Sequence, residues 1–114
     1  MSVVIWHNPR CSKSRTTLTL LEEQGITPEV RLYLQDAPGA VELREALNLL
    51  GLDARDLVRK GEAEFKDAGL GAESSEEDLI AAMVAYPKLI ERPIVFANGK
   101  ARVGRPPEAV LDIL

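Results

Sequence analysis

The chain has 114 residues, enough for one domain and too few for a comfortable second one. Hydrophobic residues make up 46%, so a single core can be filled, and 14 Lys and Arg against 18 Asp and Glu leave a net charge of −4. That balance argues against general affinity for nucleic acid or membranes, which need a positive surface, while one Cys and one His exclude an intrachain disulfide and a multi-Cys metal site and leave little for zinc.

In chain order, Val3-Val4-Ile5-Trp6 is a short apolar, β-branched run that Asn8-Pro9 ends, and it reads as a buried strand. Its apolar stretch is too short for a signal peptide, and no run in the chain approaches a membrane span, so the expected compartment is the cytoplasm. An amphipathic helix follows over about residues 12 to 24, with Leu18, Leu20 and Leu21 as its apolar residues and Gly25 as its stop. Glu29 to Tyr33 reads as a second strand, giving a βαβ unit with a parallel pair. Val41, Leu43, Ala46, Leu47 and Leu50 recur at helical spacing before Gly51, and Asp53 can cap a shorter helix through Leu57 and Val58. Gly61 to Ser75 is polar and Gly-rich, with Phe65 and Leu70 as anchors. Ser75 followed by Glu76, Glu77 and Asp78 opens a helix that runs through Leu79, Ile80, Met83 and Val84 to Tyr86. Pro93 to Ala97 is a strand, Asn98-Gly99 a two-residue hairpin turn, and Lys100 to Val103 the returning strand. Pro106-Pro107-Glu108 opens a closing helix with Val110, Leu111 and Leu114 on one face.

The expected architecture is therefore α/β: β-α-β, a helical insertion over about residues 36–91, then β-β-α, in one domain spanning 1–114. That order suits the thioredoxin-like fold, a four-stranded mixed sheet flanked by helices, although the elements alone allow other α/β arrangements.

The chemistry centres on Cys11, just after a strand and at the start of a helix, where unpaired N–H groups and the positive dipole end favour a thiolate. His7, Arg10, Lys13 and Arg15 flank it and add positive potential, and surroundings of this kind lower a thiol pKa from about 8.5 to roughly 3.5–7.5. The plainer alternative is that a lone Cys is a small buried hydrophobe. Asn8 to Arg15 also has the make-up of an anion cradle, in which Ser12 and Ser14 offer hydroxyls beside successive backbone N–H groups; capping the helix would explain the same residues. Farther along, Arg59 ends a short helix, Arg92 precedes Pro93 and Arg105 precedes Pro106. In a thioredoxin-like layout a cis-proline faces the reactive Cys, so Arg92 at Pro93 would lie beside Cys11, and guanidinium groups suit a tetrahedral oxyanion through bidentate, charge-assisted hydrogen bonds.

Over essentially its whole length the chain resembles the glutaredoxin-linked arsenate reductases. The matching segments are His7-Asn8-Pro9-Arg10-Cys11-Ser12-Lys13-Ser14-Arg15, Leu57-Val58-Arg59-Lys60, Arg92-Pro93-Ile94-Val95 and Gly104-Arg105-Pro106-Pro107-Glu108. The resemblance implies that Cys11 is the nucleophile, that Arg59, Arg92 and Arg105 bind arsenate and the later arsenical intermediate, and that His7, Ser14, Arg15 and Pro93 support them. It implies reduction of arsenate to arsenite, with glutathione as co-substrate, glutaredoxin as partner protein, and neither a metal nor a bound cofactor. Two other readings stay open. One is a regulatory interaction protein similar to the Spx proteins, which typically carry Cys-x-x-Cys at this loop where the fourth position here is Ser14. The other is a thiol-dependent relative acting on another substrate.

Overall fold

A computed structural model of the protein describes residues 2–114. Two compact units are present, one made of the chain up to Asp36 together with Arg92–Leu114, the other of Ala37–Glu91.

The first unit is the sheet. β1 (Val4–Trp6), β2 (Glu29–Arg31), β3 (Ile94–Ala97) and β4 (Lys100–Val103) lie in the order β2-β1-β3-β4. β1 and β2 run parallel, and β3 is antiparallel to both β1 and β4, which is the mixed thioredoxin-like arrangement. α1 (Ser12–Glu23) is the crossover between β1 and β2, and Gly25 with φ 77° accounts for its end, since few other residues adopt that backbone cheaply. The core gathers Val3, Ile5, Val95 and Ala97 from the strands, Leu21 from α1, and Val110 and Ile113 from the closing segment. Alternation along the strands sends Trp6 and Phe96 to the opposite face, where their rings lie 5.0 Å apart and the Arg31 guanidinium sits 5.4 Å from the Trp6 ring centre.

Three details differ from the sequence expectation. The second strand stops at Arg31 rather than Tyr33, because the chain turns at Leu32, whose carbonyl accepts from Gln35 and Asp36, and Arg31 Nε reaches back to the Asp36 carbonyl at 3.0 Å. The buried face of α1 is Ser14, Thr17 and Leu21, with Leu18 and Leu20 only partly covered. The closing helix Pro107–Ile113 is a tighter 3₁₀ coil, with hydrogen bonds such as Ala109 N–H to the Pro106 carbonyl spanning three residues; Pro106 and Pro107 bring no donors of their own, and so short a segment favours the tighter turn.

The second unit is helical: α2 (Ala40–Leu50), α3 (Ala54–Leu57), α4 (Ala63–Asp67) and α5 (Glu76–Ala85), then a 3₁₀ turn at Pro87–Leu89. Gly51 ends α2 with φ 70°, and Ser75 caps α5 by accepting from the Asp78 N–H. α4 was not anticipated, because its five residues lie in a stretch that reads as loop by composition. That stretch is held by Arg55, whose guanidinium donates to the carbonyls of Ala72 at 2.7 Å and Ser74 at 2.6 Å. Among the described residues no helix is long and apolar enough to cross a membrane.

The hairpin turn invites a test. Asn98 and Gly99 adopt φ 54° and 72°, and Asn98 Nδ2 donates to the Ile113 carbonyl at 2.7 Å, tying the turn to the closing segment. Asn98→Ala loses both the tolerance for this backbone and the tie, and is expected to cost about 1–2 kcal/mol in a urea titration followed by the fluorescence of Trp6. A loss below about 0.5 kcal/mol would contradict that role.

Candidate functional site

β1 delivers the chain to the site and α1 carries it away. Cys11 is the N-cap residue of α1, in extended conformation, with its N–H on the Asn8 carbonyl and its own carbonyl accepting from Arg15. Cys11 is largely buried, with 9% of its surface exposed. Arg10, Lys13 and Arg15 are exposed around it, and Arg15 is steadied by donating Nη1 to the Pro9 carbonyl at 3.0 Å.

Ser14 and His7 sit inside the loop, behind Cys11. Ser14 is fully buried, and its hydroxyl accepts from the Asn8 N–H at 3.0 Å and shares a 2.7 Å hydrogen bond with His7 Nδ1. It braces the loop from inside, and of the two serines offered as an anion cradle only Ser12 is exposed. His7 is buried too, and that burial, followed by the nearby Arg15 charge, pushes its pKa below the ordinary 6.5. Both effects favour the neutral imidazole and so work against a positive charge on His7 beside Cys11. The ring positions the loop through Ser14.

The sheet brings two of the three arginines together. Arg105 Nη2 donates to Cys11 Sγ at 3.6 Å, and Arg105 Nε donates to the Arg92 carbonyl at 2.9 Å. Arg92 buries its Nε and Nη1, and both Arg92-Pro93 and Arg105-Pro106 are cis peptides. Pro93 is buried, and its carbonyl accepts the Gly104 N–H at 2.9 Å. Arg59 belongs to the helical unit, where Glu62 Oε1 accepts from its Nη1 at 2.6 Å and Glu91 Oε1 lies 3.5 Å from its Nε.

Two residues of the site escaped sequence reading. Thr17 is fully buried with its hydroxyl donated to the Lys13 carbonyl at 2.8 Å, and Gly104 is packed against it. A signal for Thr17 was present, since it sits three residues after Ser14 and four before Leu21 on one helical face. A groove of about 430 Å³ runs along α1 from Ser12 and Arg15 to Glu23, with Glu108 across it; Cys11 does not line it, so it is not the pocket of the thiol.

The sequence profile of the ArsC family matches residues 6–113. The chain belongs to the ArsC family. The uncharacterized protein YfgD of Escherichia coli is 59% identical over 98% of this chain and 96% of its own length. An arsenate reductase of Haemophilus influenzae is 47% identical with both chains covered in full. The solved structure of an arsenate reductase from Vibrio cholerae superposes with a TM-score of 0.96 at 54% identity, covering all of this chain and 98% of that one. This chain shares its thioredoxin-like fold with that structure, the sheet here running in the order β2-β1-β3-β4.

His7 supplies a pH test. Below about pH 6.5 the unfolded chain takes up a proton at His7 that the folded chain resists, so this group favours folding above 6.5 and its contribution is lost as the pH falls towards the lowered folded value. Urea titrations from pH 7.5 down to 5 are expected to show His7→Gln less pH-sensitive than the wild type, and less stable by about 1 kcal/mol at the upper end, where the Ser14 hydrogen bond is lost. Parallel pH profiles would contradict the assignment.

Proposed function

We propose that this chain reduces arsenate to arsenite, with Cys11 as nucleophile, glutathione as co-substrate and glutaredoxin as the partner that completes the turnover. The observation that carries the reading is the single thiol at the start of α1 with the Arg105 guanidinium 3.6 Å from its sulfur. Membership of the ArsC family and the arsenate reductases among its relatives support the same substrate.

In the first step the Cys11 sulfur attacks arsenic(V), an S–As bond forms, and one arsenate oxygen leaves as water. Arg105 and Arg92 offset the charge of the oxyanion from the sheet unit, and Arg59 joins them by the family resemblance. Glutathione then bonds to arsenic as a second arsenate oxygen leaves as water, and the glutaredoxin thiolate attacks the glutathione sulfur. The electron pair of the S–As bond to glutathione passes to arsenic, giving arsenic(III), which water releases from Cys11. Arsenic acid, one glutathione thiol and one glutaredoxin thiol give arsenous acid, water and a glutathione–glutaredoxin mixed disulfide. The outside thiols are a requirement of the composition: with one Cys there is no internal partner to resolve the intermediate. These reductants are reduced in the cytoplasm, the proposed compartment.

NADPH oxidation coupled through glutathione reductase, with arsenate, glutathione and glutaredoxin, tests the reading. Turnover is expected with that system and near background with thioredoxin and its reductase; equal rates with thioredoxin alone would overturn the route. Cys11→Ser is expected to abolish turnover with the fold intact. Arg105→Ala or Arg92→Ala should lower kcat/KM for arsenate by at least about 10²-fold, with Lys restoring only part, since a point charge lacks the fork. Wild-type activity in either Ala variant would reject its role.

A further inference from the structure

Gly104 occupies the one glycine position where the surroundings leave no room. A Cβ built there would stand 2.6 Å from Thr17 Oγ1 and 2.8 Å from Pro93 Cγ, whereas at the other seven glycines it would meet nothing within 4 Å. Neither neighbour can retreat cheaply. Thr17 is fully buried, β-branched and held by its hydrogen bond to the Lys13 carbonyl. Pro93 is a buried ring whose own carbonyl accepts from Gly104. The end of β4 is thus drawn against both α1 and the start of β3 because residue 104 has no side chain, and the next residue is Arg105, whose guanidinium meets the Cys11 sulfur and the Arg92 carbonyl.

We propose that Gly104 is a positioning residue: its missing side chain sets the distance between the Arg105 guanidinium and the Cys11 sulfur. Any side chain at 104 must open the contacts of 2.6 Å with Thr17 and 2.8 Å with Pro93 by close to an ångström to reach ordinary van der Waals distance, and a backbone shift of that size moves the charge of Arg105 away from the anion that the thiol attacks. The proposal rests on the reading of Arg105 as an anion-handling residue, but its test needs no arsenate.

Cys11 is the only thiol, so alkylation reports on one site. Iodoacetate carries a carboxylate and iodoacetamide does not, while both attack the same sulfur. The ratio of their rates cancels the ionisation of the thiol and leaves the pull of nearby cations on the incoming anion. Gly104→Ala is expected to lower the iodoacetate-to-iodoacetamide ratio by about 3- to 10-fold, the effect of moving one unit charge by one or two ångströms in a partly buried site. In an Arg105→Gln background the same change should leave the ratio unaltered, because Gly104 acts through Arg105. An unchanged ratio in Gly104→Ala, or an equal fall without Arg105, would overturn the proposal. Should Gly104→Ala fail to fold by Trp6 fluorescence, the Gly104→Ala/Thr17→Ala pair is compared with Thr17→Ala. That pair lacks the nearest clash and keeps the one with Pro93, so a lower ratio is expected and an equal ratio overturns the proposal. A wild-type protein without arsenate turnover would count against the substrate reading and leave this test standing.

Discussion

The guanidinium of Arg105 is shared between the Cys11 sulfur and the carbonyl of Arg92, and much of the sheet unit serves to hold it there. The route runs through the β3–β4 hairpin. With Ala97 opposite Lys100 and Ile94 opposite Val103, the same register continued outward sets Pro93 opposite Gly104 and Arg92 opposite Arg105. The Gly104 N–H bond to the Pro93 carbonyl holds that outer rung closed. Two residues distant in the chain become neighbours because a two-residue turn leaves no slack, and a one-residue slip would send every side chain of the strand to the wrong face. The thiol arrives from the other direction, at the exit of β1, where Cys11 begins α1.

That hairpin also explains how far the residues could be read without coordinates. Asn98-Gly99 marks the turn unambiguously, and the strand limits around it were expected to within a residue. Helices with a clear stop or cap, such as α2 before Gly51 and α5 after Ser75, were equally legible. α4 was not, because five residues are too few to show a 3.6-residue period amid Glu, Lys and Gly. The end of β2 was missed for a different reason: the Arg31 to Asp36 contacts that bend the chain there are side-chain events, invisible to alternation of apolar residues.

At the site the residue types were legible and some of the roles were not. Cys11 at a strand-to-helix junction can be read from order alone. His7 and Ser14 look like a cation and an anion ligand until burial is known; then burial favours the neutral form of one, and the other is enclosed by His7 and the Asn8 amide. Charge and hydrogen-bonding capacity are properties of an environment, and sequence proximity to Cys11 is a poor guide to them. Gly104 is the extreme case, since its contribution is an absence of atoms that only the positions of Thr17 and Pro93 make meaningful.

With one thiol in the chain, the proposed route requires that arsenic become covalently bound to Cys11 and wait there for an outside thiol. Intact-protein mass spectrometry after mixing the protein with arsenate and glutathione, with glutaredoxin left out, tests this most directly. A single arsenic-containing adduct that also holds one glutathione is expected, absent from Cys11→Ser and discharged when glutaredoxin is added. A protein that stays unmodified under these conditions, or an adduct that persists in Cys11→Ser, would contradict it.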